Sequence, residues 1–385
     1  MKVAILDSYF FHQTKEVQGK DRIVFGGAER YLVELCNLIK SLGHEVVVFQ
    51  PLNQAITDED GETKKAKCGQ VRKEYKGIRF VCMPDTDDEW RYSTNPRLNQ
   101  TFNEMSIHYD VVIYFATFLA YPHAVPNSIS ISHGIFWDYS AHPINAWGGE
   151  WKKEFFRQQL YGFIGPDVCV AVDNNVKRVI SALSPGDEKR IRVISNFVDT
   201  EEFKPVEEKT WEETRVLYPR RLTTLRGCND FIKASRRHPN YQYLAVGQSS
   251  VESLDNEAEA WGSLTKNIRF MHKEMDGMEE LYQQSDIAVI PTRGCEGLSL
   301  SLLEAMSCGL PVITTHVGGI GDAVIHGYNA LLYDPQNEDL GLLIDLMAKE
   351  PQMREVYGKR NREIARCFDI RIWQQKWASL LNHIG

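Results

Sequence analysis

Short, almost wholly apolar runs alternate with amphipathic stretches along the chain. In the first half they fall at residues 2–6, 45–49, 78–82, 111–115, 129–132 and 168–172. Apolar character without a polar face marks strands buried on both sides, as in parallel sheets. Between the first two runs, residues 28–42 set Tyr31, Leu32, Leu35, Leu38, Ile39 and Leu42 at helical spacing, and Gly43 supplies the residue that most readily ends a helix. The second half repeats the alternation, with strands at 216–218, 243–246, 268–270, 287–290 and 312–315 and helical patterns at 230–236 and 278–284. Two successive α/β series predict two doubly wound, Rossmann-like domains. The change-over falls near 196–213, where Asp199, Pro205 and the run EEKTWEE break the period. Residues 370–381 read as a helix with Trp373 and Trp377 on one face, which predicts packing on a core.

Composition narrows the class without naming a function. The 385 residues are 43% hydrophobic and 25% charged, which is the globular average and excludes disordered and disulfide-stapled classes. The net charge of −8 excludes a dominant attraction to nucleic acid, so an anionic ligand has to be met by local cations. The eight cysteines form no Cys-x-x-Cys pair, and MKVAILD meets Asp7 too early for a signal-peptide core. These features predict reduced thiols and a cytoplasmic protein.

The most informative segment is DIAVIPTRGCEGLSLSLLEAMSCGLPVITT, residues 286–315. A strand ends at Pro291, a loop runs to Gly297, a helix starts close to Ser299, and Gly309-Leu310-Pro311 stops it before the next strand. The amides of Gly297, Leu298 and Ser299 then lie at a helix N-terminus, where unsatisfied N–H groups and the dipole favour a phosphate. Glu296 stands at the mouth of this loop and Glu304 inside the helix. Eight helical steps of about 100° would leave them about 80° apart, so only the turn brings them together. Ser301-x-x-Glu304 also reads as a capping box, which would satisfy helix N–H groups instead of a ligand.

On these residues the chain resembles the retaining family 4 glycosyltransferases, whose GT-B fold sets two Rossmann-like domains about a cleft. EGLSLSLLEA is similar to that family's Glu-x7-Glu motif, which implies that Glu296 contacts the transferred sugar and Glu304 the ribose hydroxyls. PRRLTTLRGCNDFIKA, residues 219–234, resembles the Gly-Arg-Leu…Lys-Gly segment and implies that Arg221 and Arg226 grip the donor diphosphate. Arg220 replaces the usual glycine, and arginine replaces lysine at 226, keeping the charge and adding a fork. FGGAER, residues 25–30, resembles the glycine-rich first loop, with Gly26 and Gly27 approaching the donor. Ile131-Ser132-His133-Gly134 closes a strand where the family has a histidine near the sugar, a place a strand-capping histidine would also fit.

Further similarity covers the hinge at 196–205, a base-binding loop and helix at 268–291 that includes His272 and Lys273, and VGGIGDAVIHGYNALLYDP at 317–335. In the last, Gly321 and Asp322 stand where the family has Pro and Glu. The resemblance implies an N-terminal acceptor-side domain at 1–197, a donor-side domain at 198–365, and a terminal helix, 366–385, returning to the first. It implies a retaining transfer of a hexosyl unit from a nucleotide sugar to an acceptor hydroxyl, with no metal and no other cofactor. The acceptor is a carbohydrate, a lipid-linked molecule or a small molecule. A sugar-nucleotide epimerase, a glycoside phosphorylase or a non-catalytic nucleotide-sugar sensor on the same fold stays open as an alternative.

Three further features bear on partners. Asp85-Thr86-Asp87-Asp88 would suit a divalent cation in glycosyltransferases of the other major fold, but leaves Glu296, Glu304, Arg221 and Arg226 without a role. The lysine-rich stretch 51–77 reads as a solvated lobe or a contact for an anionic surface. Residues 147–164 interleave Trp151, Phe155, Phe156 and Phe163 with Lys152, Lys153 and Arg157, which fits either a packed helix or one that dips into the inner face of a membrane.

Overall fold

The computed structural model describes residues 1–8, 10–12, 22–23, 25–51, 55–57, 63–65, 69, 71–83, 96–137, 149–206, 211–247, 267–271, 276–294 and 296–384. Two sheets carry the architecture. The first half contributes β1 (Lys2–Leu6), β2 (Phe11–His12), β3 (Arg22–Ile23), β4 (Glu45–Pro51), β5 (Ala55–Thr57), β6 (Thr63–Lys65), β7 (Arg72–Tyr75), β8 (Ile78–Met83), β9 (Val111–Tyr114), β10 (Ser128–Ser132), β11 (Val168–Ala171) and β12 (Ile191–Val193). Eight of these form a sheet ordered β12-β11-β10-β9-β1-β4-β8-β7, parallel except for β7 at its edge. β2–β3 and β5–β6 are separate antiparallel ribbons.

The second half contributes β13 (Arg215–Tyr218), β14 (Gln242–Val246), β15 (Ile268–Met271), β16 (Ile287–Ile290), β17 (Val312–Thr314) and β18 (Ala330–Leu332), a parallel sheet ordered β15-β14-β13-β16-β17-β18. In both sheets the order reverses beside the first strand, so a crevice opens at the carboxyl ends of β1 and β9 and of β13 and β16. The loops leaving β13 and β16 carry Arg220, Arg221, Arg226 and Glu296, and the sequence motifs thereby fall at the switch point of the second sheet.

The strands read as apolar because both faces are covered: β1, β9, β10, β13 and β16 are buried almost throughout. The helix Gly27–Ser41 lays Tyr31, Leu35 and Ile39 on the first sheet. The last helix, Ile370–Ile384, buries Ile370, Trp373, Trp377 and Leu381 in that same core, far from its neighbours in sequence. Trp377 Nε1 donates to the Tyr31 hydroxyl at 2.8 Å inside the core. Trp377→Phe puts a smaller ring there, which leaves a gap and donates no bond to that hydroxyl, so it should cost about 2–4 kcal/mol, read as a lower urea midpoint at unchanged slope.

The chain crosses between the sheets twice, side by side. Residues 194–206 lead out, and the turn Arg366–Phe368 leads back. Val198 N donates to Phe368 O and Ile370 N donates to Val198 O, each at 2.9 Å, while Thr200 Oγ1 donates to Asp369 Oδ2 at 2.5 Å. Arg371 and Thr200 hold the Asp369 carboxyl well below the usual carboxylate range.

The helix Gly149–Ile164 buries Phe155 and Phe163 in the first domain, and Phe155 packs on Phe118 and Phe136. That is the packed-helix alternative for this stretch. Among the described residues no helix is long and apolar enough to cross a membrane. The Asp85–Asp88 run, Lys67, His272 and Lys273 lie outside the described residues, as does all side-chain detail of Trp151, Lys152, Lys64 and Lys65.

Candidate active site

The helix Leu300–Ser307 follows β16 after one loop. Ser299 is its N-cap, with Oγ accepting from Leu302 N at 3.4 Å. Gly309, at φ +73°, ends it: Gly309 N donates to Met306 O and Leu310 N to Ala305 O, the pairing of a left-handed glycine stop. With the cap at Ser299, the helix frame excludes a Ser301–Glu304 capping box. Glu304 turns instead toward the domain interface, where Oε1 accepts from Arg30 Nη1 at 3.1 Å and Oε2 from the Tyr282 hydroxyl at 2.7 Å. Burial and the adjoining Glu304 carboxylate keep the Tyr282 phenol protonated, so it serves as donor. Arg30 also reaches Glu202 at 2.9 Å; burial opposes its charge, but Glu304 and Glu202 outweigh burial and hold the guanidinium ionised.

Glu296 is buried beneath the loop that follows β13. Its Oε2 accepts from Arg220 Nη2 at 2.7 Å, from Arg226 Nη1, and from Thr292 Oγ1 at 3.3 Å. Arg221 instead crosses to the first domain and meets Glu29 at 2.6 Å. Gly26 and Gly27 do give the close approach expected of them, but to side chains of the second domain. A Cβ on Gly26 would lie 2.7 Å from the Arg221 guanidinium, and one on Gly27 would lie 3.5 Å from Leu300.

His133 follows β10, between the rings of Phe115 and Tyr31 at 4.7 and 5.2 Å. Burial pushes its imidazole down to about 4, against a hydrogen bond to the Phe115 backbone, so it is neutral at pH 7. Among the described residues its buried Nε2 has no hydrogen-bond partner. Gly134, at φ +128°, brings the first domain onto the second: a Cβ there would lie 2.8 Å from the Glu296 carbonyl carbon. A residue with a side chain could not combine that φ with that contact.

These groups line one cavity of ≈ 210 Å³ between the domains. Gly26, Gly27, His133, Arg221, Arg226, Glu296, Gly297, Ser299 and Glu304 all face it, together with Arg30, Asn196 and Arg220. The Leu298 side chain fills the core of the second domain, so only its backbone is left to the loop. The pairs Arg30–Glu304 and Arg221–Glu29 bridge the two domains at this cavity.

Residues 199–364 match the family Glycosyl transferases group 1, and residues 25–202 match Glycosyltransferase Family 4. Sucrose-phosphate synthase from Thermosynechococcus elongatus superposes with a TM-score of 0.77 at 17% identity, over 100% of this chain and 98% of that one. The chain belongs to the GT-B glycosyltransferases of the family 4 type. Anabaena HepE in complex with UDP-glucose shares the fold of this chain, with a TM-score of 0.71 at 17% identity over the full length of both chains. A D-inositol 3-phosphate glycosyltransferase of Corynebacterium jeikeium is 29% identical over 37% of this chain and 40% of its own length. The chain spans less than half the length of the curated relatives first matched to it.

Several site residues of this chain carry little signal in sequence. Arg30 sits inside the quoted FGGAER motif, yet nothing local announces a partner 274 positions away. Arg220 reads as a departure from the motif and proves to be buried against Glu296. Asp322 accepts from Asn174 N at 2.7 Å and from Arg178 at 3.2 Å, so its carboxylate joins Asp173 at the N-terminus of the first-domain helix Asn174–Leu183. Among the described residues no cluster of His, Cys, Asp and Glu has the makings of a metal site.

Proposed function

We propose that the chain moves a hexosyl unit from a nucleoside diphosphate sugar to an acceptor hydroxyl, with retention at the sugar's anomeric carbon and without a divalent cation. The observation that carries this reading is the cavity itself: arginines 221 and 226, the glutamates 296 and 304 and the amide-bearing loop 297–299 converge at the switch point of the second sheet. Guanidinium forks suit phosphate oxygens, and a carboxylate suits a pair of ribose hydroxyls. That HepE is described with UDP-glucose supports a nucleotide-sugar donor, and the inositol phosphate relative supports a polyhydroxylated acceptor.

In this reading Glu304 takes the ribose, Arg221 and Arg226 the diphosphate, and Glu296 the sugar, while His133 offers a neutral imidazole beside it. The bond from C1 to the β-phosphate oxygen breaks, the acceptor oxygen joins C1 on the same face, and the acceptor proton passes to the departing phosphate. None of the described first-domain residues lining the cavity is a carboxylate, which favours this front-face course over a covalent intermediate. Charge growing on the leaving phosphate is met by the two arginines and the loop amides. No finding favours an epimerase, a phosphorylase or a sensor.

A thermal-shift screen of UDP, GDP and ADP with their glucose conjugates tests the reading. A ligand at 100 times its Kd adds about 2.7 kcal/mol of stability and a corresponding rise in Tm. Transfer or slow donor hydrolysis should persist in excess chelator. Loss restored by manganese or magnesium would move the diphosphate onto a cation and make Asp85 and Asp87 its candidate ligands, and no shift with any nucleotide would end the donor assignment.

A further inference from the structure

The Glu296 carboxylate is held through a single oxygen. Oε2 takes the bonds from Arg220, Arg226 and Thr292, whereas no described residue bonds Oε1. Two guanidiniums on one carboxylate oxygen are one more than charge balance asks for, and the two are not equivalent. The Arg220 side chain is 7% exposed and spends Nη2 on Glu296 and Nη1 on Thr292, so its fork is fixed at both prongs. The Arg226 side chain is 24% exposed and rises from the turn Thr224–Arg226 at the cavity wall.

We propose that Arg220 is a positioning residue: it fixes Glu296 by Oε2, leaves Oε1 for a hydroxyl of the donor sugar, and so releases Arg226 to the diphosphate. This rests on the reading of Glu296 as the sugar contact. A diphosphate entering the cavity competes with Glu296 for Arg226. Were Arg226 its sole counter-charge, the buried carboxylate would lose its partner at the moment the sugar arrives, and a buried charge stripped of its partner is strongly unfavourable. Arg220 and Thr292 keep both the charge balance and the direction of the carboxylate through that exchange. The glycine that the family pattern has at this position has no side chain to do so.

The test compares Arg220→Met, Arg220→Lys, Glu296→Gln and the Arg220→Met/Glu296→Gln double variant. UDP-glucose turnover is measured alongside calorimetric titration of UDP, with GDP- or ADP-glucose and the matching nucleotide used if the uridine pair does not bind. Arg220→Met should lower kcat about a hundredfold, the scale of a misplacement of about 1 Å, while nucleotide affinity stays within about twofold. Arg220→Lys should fall between, because one ammonium cannot span Glu296 and Thr292. Added to Glu296→Gln, Arg220→Met should cost little more, since both act on one group.

Full turnover in Arg220→Met beside a crippled Glu296→Gln overturns the role of Arg220 and leaves that of Glu296 standing. Full turnover in Glu296→Gln overturns the underlying reading instead. Nucleotide affinity that falls in step with kcat in Arg220→Met would make Arg220 a diphosphate ligand and also overturns the proposal. If Arg220→Met fails to fold by circular dichroism, Arg220→Lys carries the kinetic comparison. A crystal structure of Arg220→Gln with the bound nucleoside diphosphate, which draws Arg226 away, should show the Glu296 carboxylate turned from its place on Thr292, and an unmoved carboxylate there refutes the proposal.

Discussion

Arg226→Ala should lower turnover about 10²–10³-fold, the cost of losing one preorganised donor to a charge that grows in the transition state. Arg226 lies on a short turn at the cavity wall and its side chain is partly exposed, so removing it should change folding stability little. Glu296 would still hold Arg220, which separates the loss of diphosphate contact from the loss of Glu296. Arg226→Lys keeps the charge and should be mild. Steady-state kinetics on the nucleotide sugar that raises Tm checks this, and full turnover in Arg226→Ala would remove the residue from the diphosphate site. Arg221→Ala should lose a comparable factor, with the difference that it also cuts the bond to Glu29 across the cleft.

Glu304→Gln should weaken binding of the free nucleoside diphosphate about ten- to a hundredfold. Hydrogen bonds to a charged group are worth about 1.5–3 kcal/mol, and each 1.4 kcal/mol is a factor of ten in Kd. Glutamine keeps the shape and can still bond the Tyr282 hydroxyl, and Arg30 keeps Glu202, so the fold around the substitution is supported. The titration uses a nucleotide with ribose and no sugar, so Glu296→Gln should leave it intact while impairing transfer. Unchanged affinity in Glu304→Gln would show that the ribose is held elsewhere.

The local chemistry of residues 286–315 makes most of the site legible. A strand, a glycine turn and a helix closed by Gly309-Leu310-Pro311 leave one way to connect them, and the loop amides follow from it. Even there a two-residue ambiguity persists, because Ser299 and Ser301 are equally good caps by type. Burial of Leu298 and Leu302 in the second core sets the frame and chooses Ser299. The packing of Trp373 and Trp377 follows from their shared face. Pairing across the cleft does not. Arg30 with Glu304, Arg221 with Glu29 and Asp322 with the Asn174–Leu183 helix join motifs that each read as complete in isolation, and only the relative placement of two sheets brings them together.

The double crossing between the domains sets the mechanics of the cleft. A body tethered at one point can swivel freely, but one tethered at two adjacent points can only bend about the line that joins them. Residues 198–200 and 368–370 are such points, tied by paired backbone bonds and by the Thr200–Asp369 contact. Any parting of the two halves is therefore confined to bending about that line, as the covers of a book part from the spine. Each closure then returns the loop after β10 to the same loop after β16, so Gly134 and Glu296 meet in one register and do not have to search for it.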